Sequence, residues 1–293
     1  MIILDTYLFN VKLKFVSVAV LCIISFVCFS GVIRHDVSEK KYIELANQKQ
    51  FECIGQCFIN EKFHCSFILI DHRYVLSAAH CFVKRNEHTL LYETDDPCKY
   101  TFRCKGQEIH AKRILIYPKY LDASTNGSCD IALVELEEPF NKVEVAKVNT
   151  EFDELNSEVV GVGFGAFGIA NKPETVQAIP DKKIAGENRI DSIGGYKLSD
   201  KSSILFADFD CSDNESCNQL GTPEPMPLEY IGAGGDSGGG LFSKKDEEWK
   251  LIGVFSSTMY DINRMAKTDY YGQIMGWTRV SLFADWLKNE INK

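Results

Sequence analysis

Beyond position 50, the hydrophobic residues fall into short runs separated by turn residues. Helical spacing is scarce, and the runs are rich in β-branched and aromatic residues, as strands are. The five clearest runs are HCSFILI (64–70), RYVLSAA (73–79), DIALVEL (130–136), EVVGVGFG (158–165) and WKLIGVFSS (249–257). Many short strands with turns between them predict an all-β sandwich or barrel rather than alternating βαβ units.

The C-terminus departs from this strand pattern. Apolar residues recur there at helical spacing, and Ser281 stands where a helix N-cap is expected. The apolar positions are Leu282, Phe283, Trp286, Leu287 and Ile291. We therefore expect one closing helix on a β body.

The N-terminus has the pattern of a secretory signal. Lys12 and Lys14 precede an apolar run at 15–29, which the small residues Ser30 and Gly31 follow. Such a segment predicts cleavage after Ser30, although a run of this length could also span a bilayer as a signal anchor. We favour cleavage, which predicts a secreted, extracellular protein with no membrane contact after signal removal. The predicted organisation is a signal peptide at 1–30, a propeptide at 31–41 and one domain at 42–293.

Composition narrows the class of protein. The 293 residues are 45% hydrophobic and 25% charged, which is typical of a folded globular chain. No Gly/Ser-rich or Pro-rich linker divides the sequence, and no internal repeat is visible. A formal charge of −9 argues against nucleic acid as a partner, because phosphate binding relies on clustered Lys and Arg.

Cysteine usage and two sequons agree with export. Cys22 and Cys28 would leave with the signal, and the nine remaining cysteines are expected mostly as disulfides in an oxidising compartment, with one left over. Asn126-Gly-Ser and Asn214-Glu-Ser are glycosylation acceptors that predict surface loops. Two further pairs could each close a short loop, namely Cys98 with Cys104 and Cys211 with Cys217.

The stretch GGDSGGG (234–240) allows two interpretations of Ser237. Glycines and Ser are common in flexible turns. The alternative is a nucleophile on a tight turn, where side chains would block a substrate and where the backbone N–H groups of Gly235 and Ser237 converge on an oxyanion. The stretch also fits the G-x-S-x-G pattern of α/β-hydrolases. That class needs a His after the Ser, but all six histidines, at 35, 64, 72, 80, 88 and 110, precede Ser237. The α/β-hydrolase order is therefore excluded.

A base and an acid for Ser237 can be named from the same strand pattern. His80 follows an apolar strand and two small alanines in LSAAHC, which leaves room for a ring to face a cleft. Asp130 precedes a strongly apolar strand in CDIALVEL, so burial of its carboxylate would demand a partner. A solvated His at a strand end and a turn Asp are the competing interpretations.

Taken in the order His, Asp, Ser, these three motifs resemble the chymotrypsin-like (trypsin-like) serine peptidases from about residue 53 to the C-terminus. The resemblance implies two packed antiparallel β-barrels with the site between them and a C-terminal α-helix. It implies acyl transfer, with His80 as base, Asp130 orienting it and Ser237 as nucleophile. No metal or organic cofactor is needed, the partner is a protein or peptide substrate, and a protein inhibitor is a further partner.

The resemblance extends to residues around this triad. Cys65 and Cys81 are similar to the disulfide that braces the catalytic His. Ser77 and Ser256 are similar to the hydroxyls that surround the acid, and GVGFG (161–165) resembles the stretch near the oxyanion loop.

Two departures put activation and specificity in question. Asp236 resembles the acid that pairs with a new N-terminal amine after zymogen cleavage, but no matching start is visible. Either Tyr42 or Ile43 neutralises it after a cut near Lys41, or activation works differently.

The positions that resemble the specificity pocket are also unusual. They predict a narrow apolar pocket rather than one for Lys or Arg, and they are Ile231, Ser256, Thr258 and Met275. The alternative function is a catalytically inactive homologue that acts as a binding or regulatory protein.

Overall fold

The computed structural model describes residues 31–86, 89, 91–179, 181–212, 218–259 and 270–293. They are mostly β, with α-helices α1 (Glu39–Ala46) and α2 (Ala284–Ile291). The strands are β1 (Val32–Ile33), β2 (Ile54–Ile59), β3 (Lys62–Asp71), β4 (Tyr74–Ser77), β5 (Val83–Arg85), β6 (Tyr92–Thr94), β7 (Tyr100–Cys104), β8 (Gln107–Ile116), β9 (Ala132–Leu136), β10 (Lys147–Val148), β11 (Glu158–Gly163), β12 (Phe167–Ile169), β13 (Lys172–Gln177), β14 (Ile184–Arg189), β15 (Ser192–Leu198), β16 (Lys201–Asp208), β17 (Tyr230–Ile231), β18 (Gly240–Lys245), β19 (Glu248–Met259) and β20 (Ile274–Arg279).

The first half of the chain forms a closed barrel in the strand order β2-β3-β4-β9-β8-β7. Its interior is filled by aromatic rings, and Phe67, Phe102 and Phe140 are completely buried. Phe67 meets Phe102 edge-on and stacks with Phe140. The predicted strands at 64–70, 73–79 and 130–136 are confirmed as β3, β4 and β9. Their apolar side chains pack in the barrel interior, as strand alternation predicts.

The second half forms an eight-stranded sheet in the order β14-β11-β18-β19-β20-β16-β15, with β10 alongside β19. Trp277, Leu241 and Ile252 are buried in its core. The predicted strands at 158–165 and 249–257 are confirmed as β11 and β19. The sequence implies a second closed barrel, whereas the hydrogen bonds among the described residues close only the first.

Strand β1 lies in a small sheet with β13, β12 and β17 from the second half of the chain. Val32 pairs with Gly168 of β12 in parallel and with Ile231 of β17 in antiparallel orientation. Both Val32 and Ile33 are fully buried. Residues assigned from the sequence to a propeptide are therefore part of the packed body in this structure.

Of the two α-helices, the sequence predicted α2 but not α1. The predicted closing helix is present as α2, but the proposed cap is wrong because the Ser281 hydroxyl donates to the buried carboxylate of Glu154 at 2.6 Å. Helix α1 was not predicted, since only Tyr42 and Ala46 of its eight residues are buried. Within the described ranges, no helix is both long and apolar enough to cross a membrane.

Candidate active site

The ends of two neighbouring barrel strands bring His80 and Asp130 together. Strand β4 pairs with β9, with Ser77 opposite Ala132. His80 lies in a 3₁₀ turn, Ala79–Phe82, directly after β4, and Asp130 lies two residues before β9. The backbone N–H of His80 donates to Asp130 Oδ1 at 2.8 Å. The antiparallel register thus carries two residues fifty positions apart in sequence to one edge of the barrel.

Ser237 reaches the same place from the second half of the chain. It stands on the turn before β18, and its carbonyl accepts a backbone hydrogen bond from Ser66 of β3 at 2.9 Å. The next residue, Gly238, has a φ of +80°, and a Cβ there would lie 1.9 Å from Ser77 Oγ. Only glycine allows this close approach. The glycine stretch is therefore a packed turn, and the flexible-loop interpretation is wrong for it.

The three side chains form one continuous hydrogen-bonded line. His80 Nδ1 lies 2.7 Å from Asp130 Oδ2, and His80 Nε2 lies 2.8 Å from Ser237 Oγ. Asp130 is buried, whereas 37% of the His80 side chain is exposed. This arrangement can hold a proton on Nδ1 and leave Nε2 free to accept one from the Ser237 hydroxyl.

Two hydroxyls hold Asp130 in place. Ser256 Oγ donates to Asp130 Oδ2 at 2.6 Å, and Thr278 Oγ1 donates to its backbone oxygen at 2.8 Å. Ser256 is therefore where the sequence predicted it, while the role assigned to Ser77 is wrong. The Ser77 hydroxyl donates to the Ser66 carbonyl at 2.9 Å, because β4 runs beside β3 at this point.

The local charges raise the pKa of His80 above its usual value. Burial opposes protonation of the ring, but the attraction of the Asp130 carboxylate and its hydrogen bond outweigh burial. The imidazole is thereby a better proton acceptor than a solvated histidine.

Two backbone donors at the turn have no hydrogen-bond partner among the described residues. Neither the Gly235 N–H nor the Ser237 N–H donates to any atom of the described residues. Ser66 fixes the turn, because its hydroxyl donates to the Gly235 carbonyl at 3.2 Å and accepts from the Phe164 amide at 3.0 Å. No local sequence pattern points to Ser66, since its partners come from distant segments.

Two residues of the predicted specificity pocket are buried in the protein's own core. Ile231 and Met275 belong to the second core and are at most 1% exposed. The Met275 sulfur accepts the Gly232 N–H at 3.0 Å, and Thr258 Oγ1 donates to the Gly232 carbonyl at 3.0 Å. Of the four predicted pocket residues, Ser256 and Thr258 keep partial exposure.

The cysteines are close in pairs, although most are free thiols. Cys65 and Cys81, together with a ring nitrogen of His64, lie within 4.8 Å of one another, and Cys57 faces Cys65 across β2 and β3. The Cys65–Cys81 bridge stays a prediction.

The two other predicted disulfide pairs, Cys98 with Cys104 and Cys211 with Cys217, have different outcomes. Extended strand β7 (Tyr100–Cys104) separates Cys98 from Cys104, which argues against a bridge between them. Cys211 is disulfide-bonded, and its predicted partner Cys217 lies outside the described residues.

Of the two predicted glycosylation sites, only Asn126 lies among the described residues. Asn126 is exposed in a left-handed turn after a 3₁₀ segment, which is open to modification. Asn214 lies outside the described residues.

Comparisons with known proteins agree with this architecture. The chain is 25% identical over 239 residues to the atrial natriuretic peptide-converting enzyme of Rattus norvegicus, which covers 78% of this chain but 19% of that protein. It therefore spans about a fifth of the length of that relative.

Among solved structures, the fold is similar to neuropsin, a serine protease expressed in the limbic system of mouse brain. The TM-score is 0.55 at 18% identity, over 83% of this chain and 96% of the other. The family model described as Trypsin matches residues 43–287. The chain therefore belongs to the trypsin family.

Proposed function

We propose that the protein is a secreted serine endopeptidase that hydrolyses peptide bonds through an acyl-enzyme. The single observation that carries this proposal is the line of two hydrogen bonds, 2.7 and 2.8 Å long, from Asp130 through His80 to Ser237. A hydroxyl is a weak nucleophile until a neighbouring base takes its proton, and this line supplies that base.

The chemistry follows from where each proton and charge goes. His80 Nε2 takes the Ser237 proton while Oγ bonds to the peptide carbonyl carbon, and Asp130 stabilises the resulting imidazolium. The carbonyl oxygen becomes negative and receives the N–H groups of Gly235 and Ser237, each worth about 3 kcal/mol of barrier. His80 then gives its proton to the leaving amine. Water, activated by the same base, releases the acid and restores Ser237.

The contacts of Met275 and Thr258 suggest which substrate side chains fit. Met275 and Thr258 occupy the space beside Gly232, so a side chain entering there must be small or of medium size and apolar. Lys or Arg would bring a charge toward Ile231, and none of the four predicted pocket residues carries an acid, so its burial there would cost several kcal/mol. We expect cleavage after residues such as Ala or Val, and a peptide-library profile tests this.

A second feature concerns the residue after the cleaved bond. A cavity of about 260 Å³ is lined by Phe63 and Gly165, which Gly235 approaches. Apolar residues such as Phe58, Phe164 and Ile179 line it together with the charged residues Glu61, Arg103 and Asp181. We expect it to favour peptides with an apolar side chain on the leaving-group side.

Covalent labelling by a fluorophosphonate tests the proposed activity. Ser237 of the correctly processed protein should be labelled, and Ser237→Ala should lose both labelling and peptide hydrolysis with a nearly unchanged Tm, since the side chain is small and half-exposed. Ser256→Ala is a matched control, because it removes a hydroxyl that contacts Asp130 and spares the nucleophile. Undiminished hydrolysis by Ser237→Ala would refute the assignment.

The alternative is an inactive homologue with a binding or regulatory role. The filling of the pocket by Met275 and Thr258 favours it. It predicts no labelling of Ser237 in processed protein, and retained affinity for its partner in Ser237→Ala.

A further inference from the structure

The carboxylate of Asp236, next to Ser237, is buried without a cation. Asp236 is 6% exposed, and its oxygens accept backbone N–H groups from Gly165 at 3.0 Å and Ala233 at 3.1 Å. The backbone N–H of Gly31 also faces the carboxylate and favours its charged form. Among the described residues, no Lys, Arg or His side chain bonds to it, and burial raises its pKa to about 6. Three amides stabilise this charge without neutralising it.

The walls of this site are glycines, which let the main chain pack directly against Asp236. A Cβ on Gly163 would lie 2.1 Å from Asp236 Oδ1, and a Cβ on Gly165 would lie 2.6 Å from its backbone nitrogen. Gly31 fits beside them, because a Cβ there would meet the Tyr230 ring at 3.1 Å. The site therefore brings a main-chain nitrogen, rather than a side chain, to the carboxylate.

Strand β1 fixes Gly31 at this site. Val32 and Ile33 are fully buried and hydrogen-bonded on both edges, to β12 and to β17. Arg34 continues the anchoring, since its guanidinium donates to the Met226 carbonyl at 2.8 Å and pairs with Asp36.

A chain that begins at Tyr42 cannot supply this nitrogen without breaking the fold. Tyr42 lies in the middle of α1 and is fully buried, and its hydroxyl donates to the Glu229 carbonyl at 3.0 Å. A cut after Lys41 would divide the helix. It would also detach β1 from the covalent chain, although β1 fills the space between β12 and β17.

We propose that cleavage of the Ser30–Gly31 bond by a signal peptidase makes Gly31 the mature N-terminus, and that its α-ammonium pairs with Asp236, so that export itself completes the active site. The proposal rests on the proposed function. It replaces a propeptide at 31–41 with a strand of the mature enzyme, and it needs no second activating peptidase.

The covalent change is simple hydrolysis. Water adds across the Ser30–Gly31 bond, giving a carboxylate on Ser30 and an ammonium on Gly31. The neutral amide that faces Asp236 becomes a cation at the same place. The backbone of Asp236 stabilises the turn that carries the Gly235 and Ser237 N–H groups. Its N–H donates to the Ala233 carbonyl at 3.0 Å, and its carbonyl accepts from Gly239 at 2.7 Å.

Sequencing the N-terminus of the secreted protein is the first test. We expect Gly-Val-Ile-Arg on the active material. A start at Tyr42 or Ile43 would overturn the proposal, and so would active protein that keeps residues N-terminal to Gly31.

The second test compares two forms released from cleavable N-terminal fusions. One form begins at Gly31, and the matched control keeps Phe29 and Ser30. We expect Ser237 in the Gly31 form to be acylated by a fluorophosphonate about 100-fold faster, because the control leaves a buried charge unpaired. Equal rates in the two forms would contradict the proposal.

Thermal unfolding separates this proposal from the proposed function. The Gly31 form should have a Tm several degrees above the control at pH 7, and Asp236→Asn in both forms should abolish the difference. If the Tm difference is present while neither form is acylated, the activity fails and the pairing stands. If both forms are acylated equally with the same Tm, the activity stands and the pairing fails.

Discussion

At the scale of single residues, the candidate site depends on how Asp130 is held. Its carboxylate contacts the His80 backbone, the His80 ring and the Ser256 hydroxyl together, which leaves the ring one orientation toward Ser237. The same carboxylate raises the pKa of His80 against the effect of burial. The position of one buried acid thus sets both the geometry and the proton affinity of the base.

This dual role gives a pH prediction for Asp130→Asn. Turnover needs neutral His80, so activity is present above the His80 pKa and lost as the pH falls through it. Without the carboxylate, burial alone acts on the ring, which lowers that pKa and moves the acid limb of kcat/KM to lower pH. We also expect kcat to fall about 10⁴-fold, because Asn no longer holds the imidazole proton on Nδ1 and leaves Nε2 in the wrong state to accept one.

The pH profile of kcat/KM measures both effects. Ser256→Ala is the control, since it keeps the carboxylate and should keep most of the raised pKa. An unmoved acid limb in Asp130→Asn would show that Asp130 does not set the proton affinity of His80.

The pocket gives a second prediction at this scale. Met275→Ala should open space beside Gly232 and raise kcat/KM for peptides with Leu or Phe at the cleavage position, at a stability cost of about 2–5 kcal/mol for a buried Met. Met259→Ala, at an exposed Met, should change neither property. Library profiling and urea unfolding measure the two effects. An unchanged profile would mean that Met275 does not limit the pocket.

At the scale of elements, glycines let strands approach large rings at the junction of the small sheet with the second sheet. The Tyr230 ring of β17 lies over Gly161 of β11 and Gly186 of β14. A Cβ on Gly161 would stand 1.8 Å from Tyr230 Oη, and one on Gly186 would stand 2.3 Å from Cγ. The strand that ends near the Asp236 turn is positioned by this contact.

Gly161→Ala should therefore destabilise the fold by about 1–3 kcal/mol through overpacking, and Tyr230→Phe in the same chain should recover part of the loss. Gly276→Ala on β20 is the matched control, because its new methyl group meets nothing closer than 3.4 Å. Urea unfolding at fixed pH gives the comparison. Equal losses at the two glycines would contradict the packing argument.

At the scale of the whole molecule, buried carboxylates set the pH range of stability. Burial raises the pKa of Asp191 to about 6, of Asp210 to about 7 and of Glu229 to about 9, and repulsion from neighbouring acids such as Asp208 adds to it. A group with a raised folded-state pKa contributes stability below its unfolded pKa and loses it as the pH rises through the folded value. For these three acids, that window runs from about pH 4 to about pH 9.

We therefore expect the Tm to fall between pH 5 and pH 9. Asp210→Asn should reduce the fall of the Tm around pH 7, because the variant has no buried carboxyl to ionise at this position. The side-chain oxygen of the new Asn can still accept the hydrogen bond from Asn218. Asp246→Asn, at an exposed turn, makes the same charge change and should keep the wild-type slope. A Tm that rises over this range would show that these acids are charged and stabilised in the fold.

The sequence by itself determined much of this protein. Strand periodicity and turn residues gave the β body, because alternation reports which face of a strand is buried. The order His80, Asp130, Ser237 excluded the α/β-hydrolase class and led to the family. The C-terminal helix followed from its apolar spacing. The strand, helix and motif signals are each readable within a dozen residues, and the order of the three motifs is read directly along the chain.

Tertiary structure alone decided what depends on distant segments meeting. It gave Ser77 a partner in Ser66 instead of Asp130, and it filled the pocket with Met275. It also packed β1 between strands that follow it by more than a hundred positions, which brings Gly31 to Asp236. No local pattern encodes such contacts, because the burial of a two-residue strand and the surroundings of one carboxylate depend on the whole folded chain.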